Sequence, residues 1–165
     1  MSTNANPTNT FITPDALLEH WQGHRRLTRR VIEAFPEDKL FTFQPASPMR
    51  SFGALALEII HMVEPTLEGL ATGNWNNPDW EEIVRSQTTK ADVLTLWDET
   101  TKAIQARWDQ LPEATFHKDH NVFGYMTEPG SIVVLYLIDN EIHHRGQGYV
   151  YLRLLGIEPP VFPER

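Results

Sequence analysis

Apolar positions recur along most of this chain at the three- and four-residue spacing of helices, in four long blocks separated by proline- and glycine-rich stretches. The first block spans residues 14–35, with Leu17, Leu18, Trp21, Leu27, Val31 and Ile32 on its apolar side. Thr13 is placed to cap it, Pro14 suits the first helical position, and Pro36 ends it. The second spans residues 51–71, opening at a capping Ser51 and stopping at Gly73. It contains Pro65, which deprives the His61 carbonyl of its hydrogen bond, so a bend beside His61 is expected. The third spans residues 89–110, with Val93, Leu96, Trp97, Ile104 and Trp108 facing inward. The fourth spans residues 131–155 and is closed by Gly156. Residues 37–50, 73–87 and 111–130 read as loops, and no strand pattern exceeds a few residues. An all-α fold follows, most simply a four-helix bundle, with ligand or metal sites expected between facing helices.

The fourth block departs from the other three. Apolar residues lie on every side of it, so most of its faces should be buried. Yet Asn140, His144, Gln147 and Tyr151 follow the 4-3-4 spacing that puts residues on one helical face. Burying Asn, His and Gln is costly unless each finds a partner. The apolar residues flanking them on that face are Val133, Leu137 and Leu154. A polar patch inside a core-facing seam is the expected site.

Composition narrows the function classes. At 165 residues the chain is long enough for one domain, with residues 1–12 expected as a disordered tail and 13–160 as the folded unit. The Asn/Thr/Pro-rich start lacks the apolar core of a signal peptide. A net charge of −8 argues against nucleic-acid binding. The pairs Arg25-Arg26 and Arg29-Arg30 read as the solvated face of a helix. With no cysteine, disulfides, thiolate nucleophiles and cysteine-bound zinc are excluded, and any metal must sit on nitrogen and oxygen ligands. No apolar run approaches the ~20 residues that span a bilayer. The expected compartment is the cytoplasm.

Seven histidines are the candidates for chemistry. His20 and His24 have chelating spacing but lie in an Arg/Gln-rich stretch and are expected at the surface. His117 and His120 are expected to be solvated, or to form part of a lid. His61, flanked by Ile59, Ile60, Met62 and Val63, is on its own a satisfied core histidine. His143 and His144 point about 100° apart on a helix. His144 shares the face of Asn140 and Gln147, whereas His143 shares that of Asp139 and suits a structural or subunit contact. Together, His61, Asn140 and His144 would make a three-ligand metal site with open positions, the arrangement of a catalytic rather than a structural centre. Gln147 and Glu64 are candidate orienters of those ligands. Trp75, Trp80 and Tyr125 are candidates to shape a pocket mouth. Arg145 either pairs with Glu64 or Glu141 or holds an anionic substrate.

Two segments carry a family resemblance. One is Ser51-Phe52-Gly53 through Glu58-Ile59-Ile60-His61-Met62-Val63-Glu64. The other is His144-Arg145-Gly146-Gln147, followed by Tyr151-Leu152-Arg153-Leu154-Leu155-Gly156 and Pro159-Pro160. The chain resembles, over residues 14–160, the DinB-like family of four-helix-bundle metalloenzymes. The resemblance implies an up-down-down-up bundle, a homodimer, and a histidine triad holding a divalent metal, zinc or nickel. Two of the triad positions fall on His61 and His144. The third falls on residue 140, where this chain has Asn, a weak neutral ligand. The activity implied is a metal-dependent transferase acting on a small-molecule substrate with a low-molecular-weight thiol, whose pKa the cation would lower. Asn140 motivates the alternative, a metal-free binding or stress-response module whose His61, Asn140 and His144 form a network that fixes helix register. A hydrolase using metal-bound water is a third reading.

Overall fold

The computed structural model describes residues 12–85 and 89–165. Residues 1–11 of the expected tail lie outside the described residues. In chain order the elements are α1 Pro14–Ala34, α2 Phe52–Thr72, α3 Trp80–Arg85, α4 Lys90–Trp108, α5 Ala114–His117, β1 Asp119–Val122, β2 Met126–Pro129 and α6 Gly130–Leu154. The fold is mostly helical.

The long helices begin and end on the residues that local chemistry favours. Thr13 Oγ1 accepts from Ala16 N at 3.2 Å at the start of α1, and Ser51 Oγ accepts from Ala54 N at 3.4 Å at the start of α2. Thr89 and Asp92 form a reciprocal capping box before α4. Gly73, at φ +84°, closes α2 in the left-handed region. α2 runs through Pro65 as one helix.

Two stretches expected as loops carry structure. Within residues 73–87, Asp79 accepts from Glu81 N and Glu82 N and starts α3. Residues 111–129 hold α5 and an antiparallel hairpin in which Val122 pairs with Met126. Its four-residue strands are too short for a period-two pattern to stand out, though His120 and Val122 alternate inward against exposed Asp119 and Asn121. Phe123 and Gly124 turn the chain at φ +51° and +78°.

α1 and α2 each pack against both α4 and α6, making a helical bundle. Its interior has two apolar clusters. One gathers Leu17, Trp21, Val63, Leu67, Trp108 and Leu137. The other gathers Val31, Phe35, Phe52, Leu55, Trp97 and Tyr151.

Between the two clusters, along α1 and α6, lies a buried charged layer. Arg25, expected in solvent, is fully buried. Its Nε donates to Thr101 Oγ1 and its Nη2 to Trp97 O, both at 2.9 Å, with the guanidinium 3.4 Å above the Trp97 ring. Glu141 accepts from Thr28 Oγ1 at 2.6 Å, and its carboxyl lies 3.8 Å from Arg145 and 4.0 Å from Arg25. Burial raises the Glu141 pKa, against the pull of Arg25. Arg145 therefore takes Glu141 as its partner, not Glu64.

His24, also expected at the surface, is buried, and its Nδ1 accepts from Arg145 Nη2 at 2.9 Å. Its Nε2 faces the Arg165 guanidinium, Nη1 lying 3.0 Å away. The His20–His24 pair, whose spacing suits chelation, has its two Nε2 atoms 3.2 Å apart. The reason for both corrections lies in the register of α1. Trp21, His24, Arg25, Thr28 and Ile32 share the inward stripe, so these polar side chains follow the apolar ones into the core.

His120 is buried as well, with Nε2 3.0 Å from Thr115 O. Leu154, expected on the inner face of α6, is exposed. Among the described residues no helix is long and apolar enough to cross a membrane.

Candidate functional site

The expected polar stripe of α6 faces α2, and each of its members has a partner. His144 Nε2 lies 2.9 Å from Glu58 Oε1. One turn away, Asn140 Nδ2 donates to Met62 Sδ at 3.4 Å. Gln147 Nε2 lies 3.0 Å from His143 Nε2 and 3.5 Å from His144 Nδ1. Tyr151 Oη donates to Arg50 O at 3.1 Å and lies 3.4 Å from Gln147 Oε1. The stripe is a ladder of side-chain contacts along the α2–α6 seam. His143 itself is exposed on the outer side.

Glu58 is the residue that sequence reasoning missed. Burial opposes its charge, but hydrogen bonds from His144 and Arg50, with their charges, outweigh burial and hold its pKa at about 2. Arg50 Nη1 lies 2.5 Å from Glu58 Oε2. An ionised carboxylate only accepts, so His144 donates from Nε2. The signal was present: a lone carboxylate between Leu57 and Ile59, one helical turn from Met62 on the same face.

His61 stands apart from this ladder. It lines a groove bounded by Pro65 of α2, Ile83 of α3 and Leu96 and Ala103 of α4, and burial lowers its pKa. Glu64, expected to orient a ligand, is exposed and bonded to Arg107. Among the described residues no group of three or more His, Cys, Asp or Glu side chains is arranged to hold a metal ion. The three expected ligands face different partners. His144 gives Nε2 to Glu58, Asn140 turns its amide nitrogen to a thioether, and His61 faces the α2–α3–α4 groove.

Past Met62 the seam opens into an apolar cavity of about 190 Å³. Met62, Thr66 and Leu137 form its floor, and Phe123, Tyr125 and Trp80 are among the residues that cover it. Trp80 and Tyr125 thus line a pocket as expected. Trp75 stands behind, its ring 5.2 Å from that of Phe123 and 5.9 Å from that of His120. It seats over Gly69, where an added Cβ would come within 2.4 Å of the indole.

This helical architecture is shared with known proteins. The sequence model of the DinB family matches residues 1–165, and the chain belongs to that family. It is 25% identical over 157 residues to the uncharacterized protein YjoA of Bacillus subtilis (strain 168), covering 90% of this chain and 96% of that protein. The crystal structure of that DinB-like protein superposes with a TM-score of 0.72 at 23% identity, covering 90% of this chain and 97% of the other. A DinB-like protein from Bacillus cereus ATCC 10987 gives 0.71 at 20% identity, over 90% and 96% of the two chains. A protein assigned to the DinB family from Exiguobacterium sibiricum 255-15 gives 0.70 at 20% identity, over 90% and 95%. At these identities the three structures bear on the fold alone.

Proposed function

We propose that this DinB-family chain is a metal-independent binding module for a small molecule, acting in the cytoplasm. The observation that carries the reading is the His144–Glu58 pair. The histidine best placed to bind a metal is instead held by a carboxylate across the seam, at 2.9 Å. A buried pair of this kind ties α2 to α6 in one register, because sliding either helix would leave a polar group unpartnered.

The test is thermal unfolding with excess zinc or nickel, on the wild type and on His144→Leu. Both should fold, and neither midpoint should move by more than about 1 °C, because a ligand stabilises only a state that binds it. A rise of several degrees in the wild type that His144→Leu abolishes would overturn the reading.

The metal-dependent thiol transferase is the competing proposal. It is favoured by one observation, that Asn140 and His144 sit one turn apart on the α2-facing side of α6. It requires Glu58 to release His144 and His61 to turn toward the seam. A homodimer and a stress-response role extend the family reading as proposals. So does the up-down-down-up four-helix bundle. What supports that topology is the order in which helices enter the two apolar clusters. α1 and α6 bring Leu17 and Val133 to the first cluster and Val31 and Tyr151 to the second. α2 and α4 enter in the reverse sense, with Val63 and Ile104 in the first and Leu55 and Val93 in the second.

A further inference from the structure

We infer that the cavity beyond Met62 binds an uncharged, single-ring aromatic molecule carrying a hydroxyl, a ligand class that deepens the binding-module reading and rests on it. Size is the first argument. A cavity of about 190 Å³ is slightly larger than the roughly 150 Å³ apolar cavity that takes benzene, so one ring with a short substituent fills it.

Lining chemistry is the second. Trp80, Phe123, Tyr125 and Tyr136 supply ring faces and edges, and Met62 and Met126 supply polarizable sulfur, the two surroundings that favour a flat ring. No Asp, Glu, Lys, Arg or His is among the residues lining it. A charged ligand would lose its hydration there with no counter-charge to replace it. One buried acceptor is present. Thr66 is 2% exposed, and its hydroxyl donates to Met62 O at 2.7 Å, which leaves oxygen lone pairs for a ligand hydroxyl.

Backbone strain is the third. Phe123 is the one non-glycine among the described residues at positive φ, +51°, a conformation that bulky side chains rarely adopt. The turn that strains it brings its ring against Trp75 and onto the cavity wall. At the mouth, Tyr125 is 83% exposed beside exposed Trp80, Met126 and Tyr136, an apolar rim in solvent with no partner in the monomer.

The test is a titration at pH 7 with chelator present, followed through the tryptophan indole NMR signals. The probes are benzyl alcohol, benzoate and benzylammonium, which share a ring and differ in charge. Benzyl alcohol should bind at one site at least tenfold more tightly than either ion. Leu137→Trp, which fills the cavity, should weaken it at least tenfold. Trp80→Ala, at an exposed position that leaves the core untouched, should weaken it severalfold. Absence of benzyl alcohol binding both with chelator and with zinc, equal or tighter binding of an ion, or wild-type affinity in a folded Trp80→Ala and a folded Leu137→Trp overturns the inference. Binding of benzyl alcohol that appears only once zinc replaces the chelator, and that Trp80→Ala still weakens, supports the cavity while overturning metal independence.

Discussion

With its carboxylate ionised at neutral pH, Glu58 accepts a hydrogen bond from Nε2 of His144. Arg145 acts on His24 in a parallel way, holding its Nδ1 lone pair. Burial, then the charges of Arg145, His20 and Arg165, lowers the His24 pKa from 6.5 to about 4. Below pH 6.5 the unfolded chain takes up a proton that folded His24 refuses until about pH 4. The stabilisation is therefore complete above pH 6.5 and is lost as pH falls from 6.5 to 4, by up to about 3 kcal/mol. His61, also lowered by burial, adds in the same direction, and Glu58 enters only below its ordinary 4.5. Urea denaturation of His24→Gln, which keeps an acceptor for Arg145, should show a shallower fall in stability between pH 6.5 and 4.5 than the wild type. An unchanged slope would remove His24 from the acid response.

Helix contacts in this bundle depend on where glycines let neighbours approach. On α6, a Cβ at Gly148 would lie 2.5 Å from the Phe52 ring of α2, whereas at Gly146 it would meet nothing within 4 Å. Gly148→Ala should lower stability by about 1–3 kcal/mol through overpacking. Gly146→Ala should raise it by about 0.5–1 kcal/mol through helix propensity. Chemical denaturation of both variants checks the pair, and destabilisation by both would contradict the contact assignment. At this scale the sequence was most legible. Thr13, Ser51, Gly73 and Gly156 mark helix ends by chemistry local to each position, and local chemistry can be read without a partner. The hairpin and α3 were not legible, because their short segments are held by tertiary contacts such as Trp75 on Phe123. Arg25 and His24 were misjudged for a related reason. Residue type suggested solvent, but the stripe containing Trp21 and Thr28 carried them inward, where Trp97 and Thr101 of α4 accept from Arg25 and Arg145 of α6 bonds His24.

The whole molecule divides its interior between two apolar clusters and a charged layer that separates them along α1 and α6. The layer is structural: the Glu141 carboxyl lies between two guanidiniums, Arg145 on its own helix and Arg25 of α1. What remains for function is the α2–α6 seam and the aromatic cavity at its end. The stripe from Asn140 to Tyr151 made the seam visible in sequence, because 4-3-4 spacing survives without knowledge of the partner helix. Glu58 as the partner of His144, and His61 as a residue of a different groove, depend on how α2 is rotated against its neighbours, which apolar periodicity leaves undetermined in a helix buried on most sides. The most direct measurement of metal independence is elemental analysis of untagged protein, as purified and after incubation with excess zinc and nickel. The prediction is far less than one metal ion per chain in both samples. About one ion per chain, lost in His61→Ala, would contradict it and restore the metal-dependent transferase as the leading function.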